Sequence, residues 1–277
     1  VFADKSAPLQ LALCMSNGAF GAPIDKVKAE LDRIRGFGVG LVAAHSHRPD
    51  TPFPAGHFGA RGSGIADLAN AGLLGPDLHL SHGNGLTDTE LALLRDSGGM
   101  ICATAMGEFP YKARGLPGSV HGRARAAGVA AGIGIDVGVA LTADYFEHIR
   151  AAFWNLYLDP EGAAIASGYK SDDTLDFATR LGAKAIRLGY ETGTITVGKR
   201  ADLVLLRTDR FGFAMMGNLA DRVVNFASLP DIDSVWMAGR AIKRDGQMIG
   251  VDWPRLKSRI ESIQERVEAQ VATISFT

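Results

Sequence analysis

Gly128-Val-Ala-Ala-Gly-Ile-Gly-Ile-Asp136-Val-Gly138 is an apolar run of strand length that ends on a single carboxylate. A glycine-rich apolar run bounded by loop signals predicts a strand buried on both faces. Two earlier runs share the form. Gly38-Val-Gly-Leu-Val-Ala-Ala-His45 ends on one histidine, and Asp77-Leu-His-Leu-Ser-His82 ends on another. Buried strands that each deliver a metal-competent or proton-transferring side chain at the carboxyl end predict α/β-barrel geometry, with the chemistry at that end.

Working outward, Pro8–Met15 and Gly99–Met106 read as two more buried strands, making five before residue 140. Between them lie helical patterns. Ile24, Val27, Leu31 and Ile34 fall at helical spacing, with Pro23 to open the helix and Gly36 to stop it. A short helix is expected over Ile65–Leu73. Thr87 with Glu90 three residues on forms a capping box for a helix to Asp96. Pro117 opens another helix. Strand alternating with helix at this interval means parallel βα units.

Beyond Asp136, helices are expected around Asp144–Leu158 and Asp172–Leu188. The pattern then changes. Gly193–Leu206 reads as strand, turn, strand, with the turn at Gly198-Lys199. Asp233–Ile249 reads as a hairpin pair with Asp245-Gly246 at a tight turn. A last helix starts at Asp252, with Pro254 in its first turn and Leu256, Ile260, Ile263 and Val267 as its apolar stripe. The division expected is a barrel portion over 1–190, a small β module over 191–250, and a C-terminal helix over 251–277 packing back on the barrel.

A chain of 277 residues with 47% hydrophobic and 21% charged content can bury a full core. Its formal charge of −1 gives no electrostatic reason to expect nucleic acid or an anionic membrane as partner. The apolar runs are too short to span a bilayer, and the opening residues Val1–Ser6 do not read as a signal peptide. Cys14 and Cys102 each lie in an apolar run and are expected to be buried free thiols, which fits a cytoplasmic location. His121 and His148 fall on helices and are expected at the surface. His79, in the strand to His82, is expected to be structural.

Five motifs occur in an order that resembles the amidohydrolase superfamily, in its cytosine-deaminase and chlorohydrolase-like branch. Gly193-Thr-Ile-Thr-Val-Gly-Lys-Arg-Ala-Asp-Leu-Val-Leu is similar to that branch's "iGtl.pGk.ADlvll", and Leu175–Ala183 to its "a…aT..gA" helix. Ser81-His-Gly-Asn-Gly-Leu-Thr-Asp-Thr-Glu-Leu-Ala-Leu-Leu resembles "aHg..l…el.ll". Gly115-Leu-Pro117 through Asp136 resembles "G.P……G..v.lGtD", and Val235-Trp-Met-Ala-Gly-Arg resembles "V.v.Gr".

The resemblance implies a (β/α)8 TIM-type barrel, present here from about its fourth strand, together with a small β-sandwich. It implies one divalent metal, Zn or Fe, activating water against a C–N or similar bond. Carried over by position, His45 matches the fifth-strand metal ligand. His82 matches the sixth-strand histidine that hydrogen-bonds the water or substrate. Asp136 matches the eighth-strand aspartate that takes the water's proton and touches the metal. Histidine and carboxylate donors suit those ions, and a carboxylate beside metal-bound water accepts a proton readily.

Two departures stand out. The family's first-strand His-x-His is not present, so the chain reads as a carboxyl-terminal portion. His45-Ser46-His47 could imitate that motif, but only three strands follow it to Asp136. Many relatives also carry a glutamate three residues after the fifth-strand histidine, where this chain has Arg48. Glu108, after the seventh strand, is an available carboxylate. His47, Arg48 and His57 lie on the Pro/Gly-rich loop 47–64 and are the candidates for substrate contact.

The activity expected is hydrolysis of a C–N bond in a small cyclic or heterocyclic substrate, as a deaminase. A dechlorinating or N-dealkylating hydrolase of the same branch is the alternative among enzymes. A barrel fragment that serves binding or assembly is the alternative outside them. Unpaired strand edges predict a homo-oligomer or pairing with a missing N-terminal segment.

Overall fold

The computed structural model describes residues 10–15, 22–46, 64–108, 118–158, 167–214 and 217–274. Five parallel strands form one sheet in sequential order: β1 (Leu13–Cys14), β2 (Val42–Ser46), β3 (Leu78–His82), β4 (Met100–Ala103) and β5 (Ala130–Ile133). All five strand expectations before residue 140 hold. The strands are shorter than their apolar runs, and Asp136 lies three residues beyond the end of β5. The run to Met106 ends as strand at Ala103, where α4 (Ala105–Glu108) takes over.

Helices connect the strands as the apolar spacing requires. α1 (Ile24–Arg35) buries Val27, Leu31 and Ile34, with Pro23 and Gly36 at its ends. α2 covers Ile65–Asn70. In α3 (Asp88–Ser97) the capping box is complete: the Glu90 amide donates to Thr87 Oγ1 at 3.2 Å, and the Thr87 amide donates to Glu90 Oε2 at 2.9 Å. Leu78 and Leu80 of β3 join Val42, Ile101 and Ala131 in a core against Leu31, Leu91 and Leu94. Arg35 donates to both carboxylate oxygens of Asp77, at 2.8 and 3.0 Å, tying the end of α1 to the start of β3. That pairing holds the Asp77 carboxyl below its ordinary range despite burial, which acts the other way.

α5 (Val120–Ala127) and α6 (Tyr145–Leu158) complete the layer over β4 and β5. His121 and His148 are 1% exposed, so the surface expectation fails for both. Each sits on the inward face of its helix, where a backbone carbonyl receives it. His121 Nε2 lies 2.7 Å from Ala152 O, and His148 Nε2 lies 2.9 Å from Thr142 O.

The segment expected as one helix to Leu188 divides at Thr179 (φ −126°, ψ −90°) into α7 (Ser171–Ala178) and α8 (Arg180–Ala185). The division turns α8 onto β5, and glycine allows the close approach. A Cβ on Gly132 would lie 3.0 Å from the Gly182 Cα. Carboxyl-ward, α9 (Leu219–Phe226) is bound to α6 by Arg150, which donates to the carbonyls of Asn225 and Ala227 at 2.9 and 2.8 Å. Asp144 caps the start of α6 through the Phe146 amide and accepts from the Leu229 amide at 2.9 Å.

A second sheet is antiparallel, in the order β6 (Leu203–Leu206), β7 (Ile232–Met237), β8 (Arg240–Arg244), β9 (Gln247–Met248). Asp245-Gly246 turns β8 into β9 with positive φ at both residues, 50° and 78°. That is the two-residue hairpin geometry its sequence calls for. The strand expected over Thr194–Val197 is not formed. Gly193 and Gly198 take φ of 88° and 91°, and Ile195 and Val197 are fully exposed, with no strand beside them among the described residues.

The terminal helix, α10 (Trp253–Val271), starts at Asp252 as expected, where the Asp252 side chain accepts from the Arg255 amide. The expected packing on the barrel is not made. None of its residues is buried, and Leu256, Ile260, Ile263 and Val267 are 42–51% exposed. Among the described residues, no helix is long and apolar enough to cross a membrane.

Candidate functional site

β2 and β3 run in register, with Ser46 opposite His82 and His45 opposite Ser81. This register sets the two histidine rings side by side at the carboxyl end of the sheet. Their centroids are 5.3 Å apart and their planes are inclined by 40°. His45 is exposed, whereas His82 is 4% exposed. His82 Nδ1 lies 2.7 Å from Oγ1 of Thr104, the residue that follows β4. A buried hydrogen bond of this length fixes the ring's orientation.

His82 has φ 72° and Asp136 has φ 60°, the left-handed region that side chains other than glycine enter rarely. Each costs roughly 1–3 kcal/mol, and strain of this kind persists where the surroundings over-determine it. His82 ends β3 and Asp136 lies three residues past β5, both at positions singled out for chemistry.

Asp136 is exposed, and its carboxylate lies over α4. A Cβ on Gly107 would come within 2.7 Å of Asp136 Oδ2, so glycine at 107 makes the room the carboxylate occupies. Cys102 lies on the other side, where a Cβ on Gly134 would meet its Sγ at 2.5 Å. Burial, followed by the charge of Asp136, pushes the Cys102 thiol up to about 11. A thiol so raised is protonated at neutral pH and is no nucleophile. Cys14 and Cys102 are both free, as expected, but Cys14 is exposed and Cys102 half-buried, where burial of both was expected.

The expected residues are thus only partly gathered. His45 and His82 meet directly, and Asp136 stands two strands further along the same sheet end. Neighbouring strands are about 4.8 Å apart, so this places it roughly 10 Å from β3 along the sheet. Among the described residues no three His, Cys, Asp or Glu side chains converge as a metal-binding group. His45 and Asp136 carry the right donors for zinc or iron, but catalytic zinc takes three protein ligands. The described donor set is therefore incomplete. His47, Arg48 and His57 lie outside the described residues, as does the side chain of Glu108 at the end of α4.

Thr104 and Gly107 were not expected. Extending the β3–β4 register, in which Ser81 faces Cys102, puts Thr104 beside the end of β3. A polar residue at that strand end was the available signal. Nearby, Asn84 Oδ1 accepts from the Val120 amide at 2.9 Å and anchors the loop after His82 to the start of α5.

The sequence profile of the amidohydrolase family matches residues 42–242, which include His45, His82, Thr104 and Asp136. The chain belongs to the amidohydrolase family. It is similar to 5-methylthioadenosine/S-adenosylhomocysteine deaminase of Teredinibacter turnerae, at 24% identity over 90% of the chain and 56% of the relative. It is 30% identical to 5'-deoxyadenosine deaminase of Methanoregula boonei over 76% of the chain and 42% of the relative. Among solved structures, an adenosine deaminase from Xanthomonas campestris with bound zinc superposes with a TM-score of 0.76. It is 22% identical, and the match covers 96% of this chain and 59% of that one. Atrazine chlorohydrolase from Arthrobacter aurescens complexed with zinc gives 0.68 at 17% identity, over 91% and 54%. These likenesses show the fold. The amidohydrolase chain spans about half the length of such relatives, and less of several others.

Proposed function

We propose that this chain belongs to a hydrolytic deaminase that releases ammonia from an amino-substituted heterocycle of the adenosine type. The observation that carries the reading is the pairing of His45 with His82 at the carboxyl end of a parallel sheet, within the matched family region. The deaminase names of the relatives support the choice of reaction and substrate class. The architecture proposed is a portion of a (β/α)8 barrel, from about its fourth strand onward, over residues 1–190 and a β-sandwich module over 191–250. The C-terminal helix 251–277 is a separate element. Free thiols support a cytoplasmic location. Open strand edges and the bare stripe of α10 support association, with another copy or another segment.

The roles proposed follow from position. Asp136 accepts a proton from the attacking water at a carboxylate oxygen. The strained backbone and the space over Gly107 hold that oxygen at the sheet end. His82, held by Thr104, hydrogen-bonds the polar edge of the substrate. Glu108 is a second carboxylate for proton transfer, and His47, Arg48 and His57 are the substrate-contact candidates. His45 and Asp136 would hold one divalent ion, zinc or iron, together with donors beyond the described residues. Such an ion, when bound, makes water acidic enough to ionise near pH 7.

The test is an assay of the purified protein, supplied with Zn²⁺ or Fe²⁺, for ammonia release from 5'-methylthioadenosine and chloride release from atrazine. Ammonia release supports the deaminase reading. Chloride without ammonia replaces it with a dechlorinating hydrolase. Neither product, together with no metal retained after dialysis, points to a barrel portion that serves binding or assembly.

A further inference from the structure

The amino ends of β4 and β5, opposite the end that carries His82 and Asp136, open onto a cleft of about 640 Å³. Its volume falls in the ordinary range of small-molecule sites. Its charge does not reflect the chain. Positive and negative side chains nearly balance overall, at 29 and 30, yet every charged residue lining the cleft is a cation: Arg95, Arg180, Lys184, Arg187 and Lys199.

The carboxylates nearby are already engaged. Asp96 pairs with Arg95, Asp176 with Arg180, Glu191 with Arg200, and Asp77 with Arg35. That leaves Lys184 and Lys199 without a carboxylate among the described residues, while Arg187 acts on Asp77, which Arg35 already holds. The Lys184 side chain makes no hydrogen bond or ion pair among the described residues and is exposed. Among the described residues Lys199 Nζ donates only to carbonyls, those of Gly189 at 2.6 Å and Thr192 at 3.1 Å. Arg187 donates to the Pro76 carbonyl at 2.7 Å.

The position of Arg187 is unusual. It follows α8 with φ 62°, in the left-handed cap position where glycine is preferred. The Arg187 and Leu188 amides close that cap on Lys184 O and Ala183 O. An arginine held there brings its guanidinium to the mouth of the cleft. Tyr190 lies on the same rim, 97% exposed, and offers a ring face.

We propose that this cleft binds a nucleotide, with the phosphate on Lys184, Arg187 and Lys199 and the base against Tyr190. Cations left unpaired in a concave site favour a multiply charged anion over a neutral or cationic ligand. The exposed ring selects, among anions, one that carries a flat aromatic group. The site is separate from the proposed deaminase chemistry, because the two lie at opposite ends of the same strands.

Calorimetric titration of the 277-residue chain with adenosine 5'-monophosphate, inorganic pyrophosphate and adenosine tests it. Adenosine lacks the phosphate and reports any binding at the other end of the sheet. The nucleotide should bind at least about tenfold more tightly than adenosine, and more weakly as salt is added. Lys184→Glu reverses a side chain with no partner, so the fold should survive, as a thermal melt will show. It should weaken nucleotide binding about tenfold or more, and Lys184→Gln should do so to a smaller degree. Tyr190→Ala should lower nucleotide affinity and leave pyrophosphate affinity unchanged. Nucleotide binding no tighter than adenosine, or unaltered by both Lys184 variants, overturns the proposal. Pyrophosphate binding as tight as the nucleotide, with Tyr190→Ala silent, overturns the nucleotide class.

Discussion

His82 Nδ1 and Thr104 Oγ1 stand 2.7 Å apart, a contact that joins the end of β3 to the end of β4. Both residues are at least 96% buried, so neither can exchange its partner for water. The pair makes the candidate site a property of two strands and not of one histidine.

Removing the hydroxyl tests that pairing. Thr104→Val keeps shape and volume but leaves the buried ring nitrogen without its partner, which costs about 1–3 kcal/mol of stability. If Thr104 positions His82 for catalysis, turnover per folded molecule falls as well, and Thr104→Ser restores it. A lower melting temperature with normal turnover would assign Thr104 to packing alone. Turnover and thermal melts on the three proteins make the comparison.

Asp136→Asn should leave the fold nearly intact, since the two side chains differ little in volume. Loss of general-base action should lower turnover by about 10²–10⁴. His82→Asn should also lower turnover while retaining more metal, because His82 is read as a contact to the water or substrate and not as a ligand. An Asp136→Asn protein that keeps most of its activity would remove Asp136 from the mechanism.

Gly107→Ala probes the same carboxylate from below. The added carbon would sit 2.7 Å from Asp136 Oδ2, so the carboxylate must move. Displacements of about 1 Å at a reacting group can cost about 10² in rate. The expected result is a large fall in turnover with a melting temperature near that of the parent. Parental activity in Gly107→Ala would show that the position of this carboxylate does not matter.

Stability should fall with acid well above the carboxylate range. Burial pushes His121 down to about 4, against about 6.5 in an unfolded chain. A base whose folded pKa is depressed contributes its full stability above the unfolded value. It loses that stability as pH falls from about 6.5 toward 4, by about 2 kcal/mol at pH 5. Burial shifts His79 in the same direction. Melting temperatures between pH 7.5 and 5 should therefore drop, and His121→Gln should flatten the slope while lowering the starting point. An unchanged slope would locate the acid sensitivity elsewhere.

The two thiols should separate by reactivity. A disulfide reagent at pH 8 should modify exposed Cys14 quickly and Cys102 slowly, since burial and the Asp136 charge hold Cys102 protonated. Equal rates would contradict the described surroundings of Cys102.

Local chemistry made much of the fold legible in the sequence. Thr87 with Glu90, Pro23 with Gly36, and Asp245-Gly246 each satisfy their own backbone groups, so a short stretch suffices to read them. The five apolar runs were legible because parallel strands buried on both faces leave little choice of residue. What failed depended on distant partners. Thr194–Val197 has strand composition, but among the described residues no neighbouring strand lies beside it. His121 and His148 look like surface residues until the carbonyls of Ala152 and Thr142 are found above them. At the candidate site the strand-end residues were readable, whereas Thr104 and Gly107 act through residues 22 and 29 positions away in the chain. Spacing along one strand carries no trace of such contacts.

The bare face of α10 also makes the protein its own optical probe. Trp253, 59% exposed at the head of the apolar stripe, is one of three tryptophans in the chain. Its indole is largely in water while the helix stands alone. Anything that settles on Leu256, Ile260 and Ile263 would dry the same face and move the emission to shorter wavelength, with no label attached.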